Sequence, residues 1–106
     1  MSVDTTFKPI GKTVVAGAAG AAVQPNDSSA SAGVTTFRIR CTTGGYLTWG
    51  ASGIAAATAP TTGTPQTNTL GFAAGVAYIE APAASFFRSD ATGVFEITGG
   101  MGGTGG

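Results

Sequence analysis

The sequence predicts an all-β protein, a small antiparallel β-sandwich of seven or eight short strands, on three observations. Residues 34–50 read V-T-T-F-R-I-R-C-T-T-G-G-Y-L-T-W-G, with Phe37, Ile39 and Cys41 interleaved with Arg38, Arg40 and Thr42. A period of two is the signature of a strand with one face buried and one wet. Alanine, glycine and threonine dominate while Lys, Glu, Gln and Leu are scarce, so even the alanine-rich stretches are interrupted before a helix can propagate. Turn formers recur between short apolar runs, a spacing that indicates a sandwich or a barrel.

A chain of 106 residues bounds a single domain with one core. The expected organisation is an N-terminal arm over residues 1–10, a β-sandwich over 11–98 and a glycine-rich tail over 99–106. In chain order, residues 5–10 are closed by Pro9 and Gly11 and suit an edge strand or an extended arm. Residues 12–23 open with β-branched side chains and continue in small ones. They read as a strand in which Gly17 and Gly20 mark a bulge or a close backbone approach, with a glycine-broken helix as the competing reading. Residues 24–33, Q-P-N-D-S-S-A-S-A-G, form a dense cluster of turn formers and are expected as a surface loop.

The Gly44-Gly45 pair predicts a hairpin joining the two runs of residues 34–50. A plain two-residue turn would place Trp49 opposite Arg40. An odd loop length or a bulge moves Leu47 and Trp49 onto the face of Ile39 and Cys41 instead, and that is the expected register. The alternative stacks Trp49 over Arg38 or Arg40 at the surface. Further on, Ile54, Ala56 and Thr58 alternate as a weak strand, and residues 60–68 form a Thr/Pro/Gly loop. Leu70 and Phe72 precede a turn at 73–75, and V-A-Y-I-E-A makes a strand closed by Pro82. Residues 85–88 and 94–98 read as a last hairpin around 89–93. The expected core is Phe37, Ile39, Cys41, Leu47, Trp49, Ile54, Leu70, Phe72, Ile79, Phe86, Phe95 and Ile97.

Much chemistry is excluded by composition. Five basic and five acidic residues balance, so there is no basic field for nucleic acid and no polybasic patch for a membrane surface. The most apolar run, residues 14–23, is far shorter than the roughly 20 residues of a helical span. The chain has no histidine, which removes the commonest general base and metal ligand. Asp4, Asp27, Glu80, Asp90 and Glu96 are scattered singly; Glu80 and Glu96 are placed to pair with Arg38 or Arg40 across strands, for about 0–1 kcal/mol. Cys41, the single cysteine, admits no internal disulfide and reads as a small core hydrophobe. No catalytic, cofactor-binding or metal-ligating residue is assigned, no cofactor is expected and no enzyme is predicted.

Two short motifs carry nothing. Gly11-Lys12-Thr13 resembles the end of a phosphate loop, but Thr6 stands where the pattern requires glycine. Asn26-Asp27-Ser28 matches a glycosylation acceptor; with no secretory signal at the N-terminus the reading is a polar turn and synthesis in a cytoplasm.

The order V-T-T-F-R-I-R-C, Y-L-T-W-G, I-A-A-A-T-A, V-A-Y-I-E-A-P and G-V-F-E-I-T-G-G-M-G-G, over residues 34–103, resembles in layout and composition the small virion proteins of tailed bacteriophages of the capsid cement or decoration kind. The resemblance implies a small, jelly-roll-like β-sandwich located in the virion. It implies binding to the major capsid protein on the assembled capsid surface, with self-association as a dimer or trimer, no nucleic acid and no membrane. On this reading the arm and the glycine tail are the reaching elements. The alternative is a receptor- or carbohydrate-binding module of a virion, with Tyr46, Trp49 and Tyr78 as a stacking platform; it requires those rings to be exposed together.

Overall fold

The computed structural model describes residues 7–26 and 34–101. Among the described residues seven strands form: β1 (Lys8–Ala16), β2 (Thr36–Thr43), β3 (Gly45–Gly50), β4 (Thr69–Phe72), β5 (Gly75–Glu80), β6 (Phe86–Ser89) and β7 (Val94–Met101). They make two antiparallel sheets, one ordered β1-β7-β2-β5 and one ordered β4-β3-β6. The all-β sandwich expected from the alternation and the turn spacing is therefore what the chain forms.

Its topology follows from one nested ribbon. β1 pairs with β7, Val23 bridges to Phe87 of β6, β2 pairs with β5, and β3 pairs with β4. The first half of the chain thus lies antiparallel to the second half, and the ribbon is rolled so that its consecutive rungs fall in alternate sheets. This is the jelly-roll arrangement, with its second strand reduced to the bridge at Val23. Only β3 and β4 are neighbours in both sequence and sheet.

That topology overturns both predicted hairpins. β2 belongs to the four-stranded sheet and β3 to the three-stranded one, with Gly44 alone between them. The glycines mark a corner where the chain switches sheets, as sandwich strands do at bends. Residues 89–93 are likewise a corner, since β6 and β7 lie in different sheets. The face expected for Leu47 and Trp49 nevertheless holds: Leu47 is fully buried and Trp49 packs against the core. Residues 7–10 and 12–23, the described parts of the two expected segments, do not form two separate strands. β1 spans 8–16 with its register break between Pro9 and Thr13, and the chain then turns, Gly20 donating to the Gly17 carbonyl with Ala19 at φ 54°. The expected boundaries at residues 10 and 99 fall inside β1 and β7; residues 1–6 and 102–106 lie outside the described residues. The weak strand around Ile54 is absent, the stretch 51–68 holding only a bridge between Thr61 and Thr64.

The core lies between the sheets. Phe37, Ile39, Cys41, Phe95 and Ile97 point inward from one sheet and Leu47 and Phe87 from the other, with Trp49, Phe72 and Ile79 packed around them. Phe37 meets Phe87 edge-on at 5.0 Å between ring centroids, and Phe72 meets Phe95 at 5.6 Å. Three expected core members are displaced. Phe87 takes the place assigned to Phe86, which is half-buried; Ile54 lies outside the core; and Leu70 is 45% exposed because β4 is an edge strand. The expected surface loop also changes character at its start, where Pro25 and Asn26 are fully buried. The Asn26 amide donates to the carbonyls of Val34 (3.4 Å) and Ala83 (3.3 Å). Its side chain presses on Gly99, where a Cβ would collide with the amide oxygen, so glycine there is a packing requirement. A side chain so enclosed is no acceptor for a glycan.

Candidate functional site

Among the described residues, Asp90, Glu96, Arg40, Arg88 and Cys41 are engaged in structure. Asp90 stands at the β6–β7 corner, and its carboxylate accepts hydrogen bonds from the backbone N–H of Tyr46 (2.8 Å), Gly93 (2.7 Å) and Thr92 (2.9 Å) and from the Thr92 hydroxyl (3.2 Å). Its own N–H donates to the Tyr46 carbonyl and its carbonyl accepts from Ala19. Burial pushes this carboxyl up, but the donors from Tyr46, Gly93 and Thr92 outweigh it and hold the group below its ordinary value. One residue thereby ties these elements together, its side chain joining both sheet-switching corners and its backbone carbonyl holding the turn after β1. The corners touch: a Cβ on Gly45 would stand 2.8 Å from the Gly93 Cα. The D-A-T-G tetrapeptide carries the signal for such a turn, an aspartate bonding its own backbone two and three residues on.

Glu96 pairs with Arg40 at 3.0 Å across β7 and β2, on the outer face of the four-stranded sheet, as the alternation leads one to expect. Glu80 falls opposite Thr36 rather than an arginine. Among the described residues no group of three His, Cys, Asp or Glu side chains gathers that could hold a metal ion. Cys41 is 3% exposed with its thiol donating to the Thr43 carbonyl at 3.1 Å. Burial, reinforced by the nearby Asp90 charge, pushes its thiol up against the backbone hydrogen bonds that lower it. A protonated, enclosed thiol is inert. Cys41 is therefore expected to resist a soluble disulfide reagent in native buffer and to react fully once the chain is unfolded in guanidinium; stoichiometric labelling of the folded protein within minutes would contradict the burial.

The three rings of the predicted platform are scattered. Tyr46 lies over Gly71 on the outer face of the three-stranded sheet, Trp49 faces Phe87 at 6.4 Å between the sheets, and Tyr78 stands on the outer face of the other sheet beside Phe7 at 5.5 Å. No single surface presents them together. Near Trp49 there is instead a cleft of about 450 Å3 between the end of β3 and the 51–68 connection, lined by uncharged residues that include Thr48, Gln66, Asn68 and Thr69. Arg88 secures the outer side of that sheet, donating to the carbonyls of Gly20 (3.1 Å) and Ile54 (2.9 Å).

The remaining surface of note is the outer face of the four-stranded sheet. The register places Val15, Glu96, Arg40 and Val76 in one row across it and Thr13, Thr98, Arg38 and Tyr78 in the next. Val15, Val76 and Tyr78 are 53%, 50% and 37% exposed. The face is exposed at Val15, Val76 and Tyr78 while Thr98 is buried and the Phe7 ring lies against Gly100 and Tyr78; it is balanced in charge and apolar at both margins. No protein-family model, no curated protein and no solved structure matches this chain.

Proposed function

We propose that the chain is a capsid cement or decoration protein of a tailed bacteriophage, which binds the major capsid protein on the assembled shell and stabilises contacts between capsomers. It acts without catalysis, as a homo-oligomer within the virion. The observation that carries this reading is the outer face of the four-stranded sheet, where Val15, Val76 and Tyr78 are exposed around the Arg40–Glu96 pair. The apolar side chains stand at two separate margins of that face, Val15 on β1 and Val76 with Tyr78 on β5, and exposed apolar side chains rimmed by polar ones mark surfaces that meet other proteins. A jelly roll is an architecture shared by capsid and lectin domains, which supports the reading by analogy alone. The layout of residues 34–103 supports it from the sequence side. Weak contacts of this kind gain strength through repetition on a symmetric lattice.

The test is co-sedimentation of the purified chain with heads assembled from the major capsid protein of the phage that encodes it. Saturable binding and a raised disruption temperature of the heads are expected. Because Gly99–Met101 belong to β7, the tail is tested by truncation after Met101, which leaves the sheet whole; the truncated chain is expected to bind more weakly. A folded full-length chain that stays in the supernatant at every concentration would sink the proposal.

A further inference from the structure

The two margins of the sandwich are built differently. The β1 margin carries Lys8, Pro9 and Lys12 and a register break between Pro9 and Thr13, the devices by which sheets discourage further pairing. In the other sheet the edge strand on that side, β6, is partly covered by the bridge from Val23. Among the described residues, the opposite margin has no such protection. β5 reads G-V-A-Y-I-E, with no proline, no lysine and an unbroken register against β2. Among the described residues, three of the five exposed large hydrophobics lie along this margin: Val76 and Tyr78 on the outer face of β5, and Leu70 on the inner face of β4, opposite Leu47.

The register also identifies which backbone groups face outward. The Ala81 N–H donates to the Thr35 carbonyl, which makes 81 and 35 a hydrogen-bonded pair continuing the β2–β5 ladder. Antiparallel pairs alternate, so Ile79 and Ala77 also bond inward to β2. The N–H and C=O groups of Val76, Tyr78 and Glu80 consequently point to the free edge.

We infer that the chain forms a twofold dimer by antiparallel pairing of β5 with β5 of a second copy, Tyr78 opposite Tyr78. In that register Val76 of each copy lies opposite Glu80 of the other, and every outward N–H of Val76, Tyr78 and Glu80 meets an outward carbonyl. The twofold axis stands perpendicular to the sheet, so the outer faces stay on one side and the two four-stranded sheets become continuous. Charge is complementary as well: Glu80 of the second copy enters the row of Arg40, beside Arg38. The interface uses one patch on both copies and closes on itself, and the protected β1 margin stops further growth. This specifies the self-association in the proposed function and does not depend on the capsid.

The experiment is analytical ultracentrifugation of the full chain in solution, without capsids, up to about 100 µM. A reversible dimer is expected. Val76→Glu, a change at a half-exposed position, sets like charges opposite each other across the axis and is expected to weaken the dimer at least about tenfold. Val76→Glu combined with Glu80→Lys restores opposite charges in this register and is expected to recover it. Tyr78→Pro removes an N–H that only the second copy uses and is expected to give a monomer; if that variant does not fold, the charge pair still decides. A wild-type monomer throughout the range, an oligomer other than a dimer, a dimer indifferent to Val76→Glu, or a double variant that stays dissociated would each overturn the inference.

Discussion

Replacing Phe87 with alanine is expected to destabilise the fold by about 3–5 kcal/mol, against a total stability for a domain of this size of about 5–15 kcal/mol. The Phe87 ring is fully buried and stands against Phe37 at 5.0 Å and Trp49 at 6.4 Å. It is the one aromatic of β6 that spans the gap between the sheets. Its backbone, bonded both ways to Val23, also holds the remnant of the second strand, so a cavity there loosens the roll where it has least pairing to spare. Phe86→Ala is expected to cost well under half as much, since that ring is half-buried and shares the outer face with Arg88. Guanidinium denaturation followed by Trp49 fluorescence measures both. Equal losses for the two variants would mean that the face assignment of β6 is wrong.

That assignment is also where the sequence could not decide. S-F-F-R-S supports two phases of alternation: one buries Phe86 with Arg88, the other Phe87 with Ser85 and Ser89. Tertiary contacts settle the choice. The Ser89 hydroxyl finds the Gly93 carbonyl at 2.5 Å, and Arg88, pointing outward, reaches two loop carbonyls. The strands themselves were legible because alternation is local. Phe37, Ile39, Cys41, Phe95 and Ile97 all face the core as their spacing requires.

Pairing was not legible, because a glycine pair between two strands looks the same whether it closes a hairpin or turns a corner. One clue was present. A two-residue hairpin at Gly44-Gly45 sets Leu47 opposite Thr42, on the wrong face. The conflict disappears if the two strands never pair, since residues of like parity across a corner both face the sandwich interior. A clash between turn length and alternation is thus a signature of a sheet switch. The absence of an aromatic platform has the same origin: Tyr46, Trp49 and Tyr78 lie in different rungs of the ribbon, and the roll carries them to different surfaces.

Asp90→Ala is expected to cost about 3–5 kcal/mol at neutral pH, because hydrogen bonds to a charged acceptor are each worth about 1.5–3 kcal/mol and the donors left behind are partly enclosed. Three backbone N–H groups lose their acceptor at once, and Gly45 and Gly93, which depend on close apposition, lose the side chain that holds them together. Asp90→Asn keeps one carbonyl oxygen and is expected to lose a smaller part. The comparison across pH separates charge from shape. The folded-state carboxyl lies below its ordinary value, so its contribution is complete above the unfolded value of about 3.9 and disappears as the pH falls through the lower folded value. The gap in stability between wild type and Asp90→Asn should therefore be constant from pH 7 to about 5 and narrow steadily in more acidic solution. Urea midpoints taken at each pH give the curve directly. A gap that is independent of pH down to the acid transition would show that the carboxylate charge contributes nothing, and that the corners are held by their backbone alone.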